Sequence, residues 1–100
     1  MTPEQIATKR EMDHSILYYV REIQATAAIR AESIESYVKQ RRLRADAAQV
    51  RDRIADLVDR DYLHRSREWV PGEGFADYYT VTAEARQVLD QEVPWDWERA

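Results

Sequence analysis

RADAAQVRDRIADLVDRDYLHRSREW occupies residues 44–69, and after a short Pro/Gly turn ADYYTVTAEARQVL occupies residues 76–89. The first stretch changes period partway along. Ala47, Val50, Ile54, Leu57 and Val58 recur at the three-and-four spacing of one helix face. Asp46 stands just before them, where a helix wants a side-chain acceptor for its orphan N–H groups. After Asp61 the pattern alternates from Tyr62-Leu63 to Val70, which is the period of a strand. Pro71-Gly72-Glu73-Gly74 contains both glycines of the chain and reads as a turn. Phe75 to Val81 then returns as a second strand, so the pair is a hairpin. Thr82 caps a further helix, with Glu84 in its first turn and Val88 and Leu89 as its apolar contacts.

Upstream, Thr2-Pro3 is a helix start, because proline suits the first helical position. Ile6, Met12, Ile16, Leu17, Val20 and Ile23 carry a helical pattern from there. Asp13 offers a second cap, so one long helix and two helices meeting near residues 13–15 are both open. Ala25 to Ala28 reads as a connector, and Ile29 is placed for a short first strand. Ile34, Tyr37 and Val38 define a helix over about residues 31–40, and Leu43 is an apolar plug between it and the next. The expectation is a mainly α chain with a small β-hairpin (α+β), made of a three-helix core, a two-stranded hairpin and a C-terminal helix. Residues 1–92 read as one domain, with a helix-turn-helix over about 31–60, the hairpin over about 62–81 and the last helix over about 82–91. Residues 93–100 read as an acidic, tryptophan-containing tail.

One hundred residues with 44% hydrophobic content suit a single globular core. There is no cysteine, hence no disulfide framework and no thiolate metal site. No apolar run approaches the roughly 18 residues of a membrane helix, and MTPEQIATKR lacks a signal-peptide apolar region. A cytoplasmic protein without membrane contact is therefore expected. Asp13-His14-Ser15 holds the residue types of a catalytic triad, but helical neighbours point about 100° apart and cannot form a relay. His14 and His64 are the only histidines, and no carboxylate spacing makes them metal ligands. No catalytic residue, metal site or cofactor is expected, and the chain reads as a non-enzyme.

The net charge of −4 is unevenly spread. Residues 1–67 hold thirteen Lys/Arg against eleven Asp/Glu, and residues 68–100 hold two against eight. The densest basic run is Lys39-Gln40-Arg41-Arg42-Leu43-Arg44.

The order helix, helix, turn, helix, hairpin, helix resembles the winged helix-turn-helix superfamily of bacterial regulators. The likeness is to the multiple-antibiotic-resistance (MarR), phenolic-acid (PadR) and arsenic (ArsR) repressor types and covers about Ile16 to Leu89. Leu57-Val58-Asp59-Arg60-Asp61-Tyr62-Leu63 is similar to the families' passage from recognition helix into wing. Tyr78-Tyr79-Thr80-Val81-Thr82-Ala83-Glu84-Ala85 is similar to their return strand and capped last helix. Those families place glycine where this chain has Asp61 and Ala85; aspartate tolerates the left-handed backbone, and alanine in a helix costs nothing.

The resemblance implies a small stand-alone DNA-binding transcriptional regulator without a ligand-sensing domain, and size alone points to a prokaryotic or phage setting. It puts residues 46–60 in the major groove, where Gln49 can read adenine and Arg53 guanine. Arg41, Arg42 and Arg44 at the turn, with Arg65, Ser66 and Arg67 on the wing, are then the phosphate contacts. Ala48, Gln49, Asp52, Asp56 and Asp59 fall opposite the buried stripe, so the outer face is acidic. That acidity, together with Val93-Pro94-Trp95-Asp96-Trp97, supports an alternative: a protein-interaction module using the third helix and the tail. Trp95 and Trp97 are its candidate partner or homodimer contacts. Tyr18, Tyr19, Tyr37, Tyr62 and Trp69 read as core or hairpin filler.

Overall fold

Asp13 does not interrupt the first helix. α1 runs unbroken over Pro3–Ile23, with Met12, Ile16, Leu17 and Val20 buried along one face and Asp13 fully buried beside them. The carboxylate is free of a capping role because arginines from another helix satisfy it. The computed structural model describes residues 2–25, 27–40 and 46–91, the side chains of 5–8 excepted. The remaining elements are α2 Ala31–Gln40, α3 Ala47–Asp59, β1 Leu63–Val70, β2 Gly74–Val81 and α4 Ala83–Leu89. The turn residue Leu43 and residues 93–100 lie outside the described residues.

α3 begins where the side-chain chemistry requires. Asp46 Oδ1 accepts from the Gln49 backbone N–H at 2.8 Å, and Gln49 Oε1 accepts from the Asp46 N–H at 2.9 Å. This reciprocal pair satisfies two donors at the helix start. Val50, Ile54 and Leu57 bury the inner stripe against α1 and α2. The helix stops at Asp61, which adopts φ 65°, the left-handed conformation aspartate tolerates. Tyr62 follows, fully buried, and donates its N–H to the Leu57 carbonyl at 2.9 Å.

β1 and β2 pair antiparallel from Leu63↔Val81 at the root to Val70↔Gly74 at the tip. Leu63, Tyr79 and Val81 bury the root in the helical core. Ile29 does not form a strand of its own: among the described residues the sheet has two strands, and Ile29 only lends its carbonyl to the Tyr79 N–H at 2.9 Å. Thr82 closes the hairpin, donating to the Asp61 carbonyl at 2.7 Å and accepting from the Ala85 N–H at 3.1 Å. Ala85 is fully buried, so α4 packs close with only a methyl group there. The result is an α+β layer of helices with one projecting hairpin. Among the described residues no helix is long and apolar enough to cross a membrane.

Candidate nucleic-acid interface

Two ion-pair systems fix the rotation of α3 about its axis. On the α1 side, Arg53 forks onto Asp13, with Nε to Oδ1 at 2.8 Å and Nη2 to Oδ2 at 2.7 Å. Arg60 reaches the same carboxylate at 3.2 Å. Both arginines also bond Asp56, at 2.8 and 2.7 Å, one helical turn apart on α3 itself. The Asp13 bonds hold the Arg53 guanidinium more firmly protonated than usual, against the opposing effect of burial. On the opposite flank Arg51 is hydrogen-bonded to Glu35 of α2 and lies 3.9 Å from Glu32. With both flanks tied, the stripe left to solvent is Ala48, Asp52, Ala55 and Asp59.

Arg53, expected as a base reader, points inward to Asp13. Its side chain is only 15% exposed and turns inward, because a fully buried carboxylate on α1 needs a counter-charge and hydrogen bonds. Gln49 is exposed, and its amide oxygen is engaged in the capping box. Asp56 lies on the flank with Arg53 and Arg60 and its charge is spent within the protein, whereas Asp52 and Asp59 are exposed and make no ion pair among the described residues. Arg41, Arg42, Arg44, Trp95 and Trp97 lie outside the described residues.

The wing is braced from its base. Arg30, just before α2, forks onto Glu73 at 3.1 and 2.9 Å and donates to the Tyr78 hydroxyl at 3.0 Å. The bonds with Arg30 hold the Glu73 carboxyl below the usual carboxylate range. Tyr79, beneath the wing, is pushed up chiefly by burial and then by Asp77. The hairpin register puts Leu63, Arg65, Arg67 and Trp69 on one face of β1, opposite Val81, Tyr79, Asp77 and Phe75. Arg65 is exposed and makes no hydrogen bond or ion pair among the described residues. Arg67 is 73% exposed, 3.7 Å from Asp77 and over the Phe75 ring. Ser66 is half-buried on the other face. A cleft of about 450 Å³ separates the wing from α2 and α3, with Arg30, Arg51 and Arg65 on its walls beside Glu32, Glu73 and Asp77.

Sequence reasoning missed three positions that shape this surface. Asp13 sits three, four and seven residues before Ile16, Leu17 and Val20, so a charge inside the apolar stripe was the available sign of a buried partner. Arg30 gave no local sign, because its partners are more than 40 residues away. Trp69, expected as filler, is 64% exposed and meets Phe75 edge-on at 5.3 Å. It lies six residues along β1 from the buried Leu63, roughly 20 Å at strand rise, and that distance could have been counted. Tyr18 is also exposed, while Tyr62 is core and Tyr19 meets Tyr37 edge-on. Among the described residues no group of three His, Asp or Glu side chains converges as a metal site.

A helix pinned on both flanks and followed by a braced hairpin is the architecture of a winged helix-turn-helix domain. The fold is of the PadR type. The chain is similar to Bacillus subtilis PadR, solved in complex with operator DNA, at 19% identity and a TM-score of 0.68, over 86% of this chain and 47% of that one. It is also similar to a PadR-like transcription factor from Bacteroides fragilis, at 16% identity and a TM-score of 0.73, over 96% of this chain and 88% of that one. The chain thus spans about half the length of Bacillus subtilis PadR and most of the Bacteroides fragilis protein. No protein-family model matches the sequence, and no curated protein matches it either.

Proposed function

We propose that this protein is a DNA-binding transcriptional regulator, not an enzyme, and that α3 enters the major groove while the wing straddles the adjoining backbone. The observation that carries the reading is the rotation of α3: the charged groups on its two flanks are tied inward or to α2, and Ala55 of the outward stripe shares a cleft with Arg65, which makes no ion pair among the described residues. The likeness of fold to a repressor solved on its operator supports it.

The stripe sets what α3 can read. Ala48 and Ala55 offer methyl groups that suit thymine methyls, Asp52 accepts from a cytosine amino group, and Gln49 donates through its amide. Arg65 and Arg67 supply phosphate contacts, and Ser66, on the other face of the wing, and Arg41, Arg42 and Arg44 are assigned the same role from the sequence. A domain of this kind reads two half-sites as a two-fold pair of copies.

The test is a titration of random and mixed-sequence duplexes by fluorescence anisotropy at several salt concentrations. Binding is expected at low salt, weakening with a log–log slope of about −0.9 per neutralised phosphate. Absence of binding to any duplex at low salt overturns the proposal.

A further inference from the structure

Trp69 and Phe75 are 64% and 65% exposed and sit directly opposite each other at the outer end of the hairpin. Neither belongs to the core, to which the described residues of the two strands contribute Leu63, Tyr79 and Val81 at the hairpin root. Two aromatic rings left in water hold an unrealised gain from burial, and this one comes in a fixed geometry, edge to face at 5.3 Å. Resting on the DNA-binding reading above, we propose that the Trp69–Phe75 pair is an apolar wedge that enters the minor groove of duplex DNA next to the α3 contact and kinks it there.

Charge argues for a nucleic acid as the occupant. Arg65 and Arg67 lie on the same strand face as Trp69, at alternate positions between the tip and the core. Arg65 has no ion pair among the described residues, and Arg67 stays largely exposed. The acids nearby are spent or turned away: Glu73 is bound by Arg30, Asp77 faces Arg67, and Glu68 is on the opposite face of β1. The tip thus presents cations, then aromatic rings, to whatever approaches it. Phosphates flanking a groove match the first, and a partly unstacked base step matches the second. The wedge is also positioned in advance. Arg30 ties the turn at Glu73 and the strand at Tyr78 to the start of α2, so little order is lost when the tip inserts.

The experiment compares the full chain with W69A/F75A, W69L/F75L and R65A/R67A on one duplex. Anisotropy gives affinity and salt slope, energy transfer between end labels gives bending, and sedimentation velocity gives the oligomeric state. The wild type is expected to bind and to shorten the end-to-end distance. W69A/F75A is expected to bind about tenfold more weakly or worse, with an unchanged salt slope and no bend, because stacking is not ionic. W69L/F75L retains bulk and is expected to restore part of the bend. R65A/R67A is expected to reduce the salt slope by about 1 to 2. Circular dichroism checks that each variant folds, and the single substitutions W69A and F75A replace the double one if it does not. Wild-type binding with an unchanged affinity and bend in W69A/F75A overturns the wedge and leaves DNA binding intact. A wild type that binds no duplex overturns both. Weaker binding accompanied by a switch from paired to single copies overturns the wedge in favour of a contact between copies through the wing tips.

Discussion

Asp13 is a carboxylate with no exposure, facing two guanidinium groups that are 15% and 20% exposed. Such a cluster holds together because each charge has both a counter-charge and hydrogen bonds, and removing one member strands the others. Asp13→Ala is expected to cost about 3 kcal/mol, the lower end for a broken buried pair since the arginines retain some water. Urea denaturation measures it, and a loss below about 1 kcal/mol would show that the cluster is dispensable. Arg53→Ala and Arg60→Ala share Asp13 and Asp56, so their combined effect should depart from the sum by about 0.5 kcal/mol or more in a double-mutant cycle. The Arg30–Glu73 pair is more open to solvent and acts through pH. Glu73 has a folded-state pKa depressed below its unfolded value, chiefly by its bonds with Arg30. Its contribution is therefore present above the unfolded pKa and is lost as pH falls through the folded one. Comparing stability from neutral pH down into the acid range, wild type and Glu73→Gln should converge in acid and separate towards neutrality; curves separated equally throughout would remove the pair from the wing's support.

The elements that local chemistry encodes were readable from the sequence, and those that distance encodes were not. α3 was legible because its cap, apolar stripe and stop all lie within residues 46–61, and α4 because Thr82 announces it. The wing was legible from a change of period and one Pro/Gly turn. Ile29 was misread as a strand because a lone carbonyl bond to Tyr79 leaves no pattern in sequence. Arg53 and Arg51 are two residues apart and equally basic, and only the positions of Asp13 and Glu35 decide which turns inward. The elements make their own predictions. Asp46→Ala removes the acceptor of the capping box and should lower stability by about 1 kcal/mol. Gly72 holds φ +83° with open space where a Cβ would go, so Gly72→Ala should cost about 1 kcal/mol from backbone strain alone. Asp61→Gly should be neutral or slightly stabilising, since without a Cβ the left-handed conformation carries no steric strain and the backbone carbonyl still accepts from Thr82. Thermal melts order the three; a destabilising Asp61→Gly would mean that the aspartate side chain itself is needed.

At the scale of the whole molecule the question is how a chain with net charge −4 approaches a polyanion. The fold answers by position more than by composition. Of the acids on α3, Asp56 is spent on Arg53 and Arg60, and Asp46 on the helix cap. Two remain exposed and without an ion pair among the described residues, Asp52 and Asp59, and both face the groove in the proposed complex. Asp52 is near the middle of α3, and Asp59 is its last residue, where a negative charge also opposes the helix dipole. If α3 lies in the major groove, these two charges act against non-specific binding, and removing them should strengthen it. D52N/D59N is expected to raise affinity for random duplex DNA several-fold at low salt, with the gain shrinking as the Debye length falls to about 8 Å near physiological ionic strength. The melting transition should stay unchanged or rise slightly, because neither side chain has an ion pair to lose among the described residues. Equal affinity of the variant and the wild type at low salt would place α3 away from the phosphates. A gain that persists undiminished in high salt would mean that the substitution had altered the fold, since exposed charges are screened.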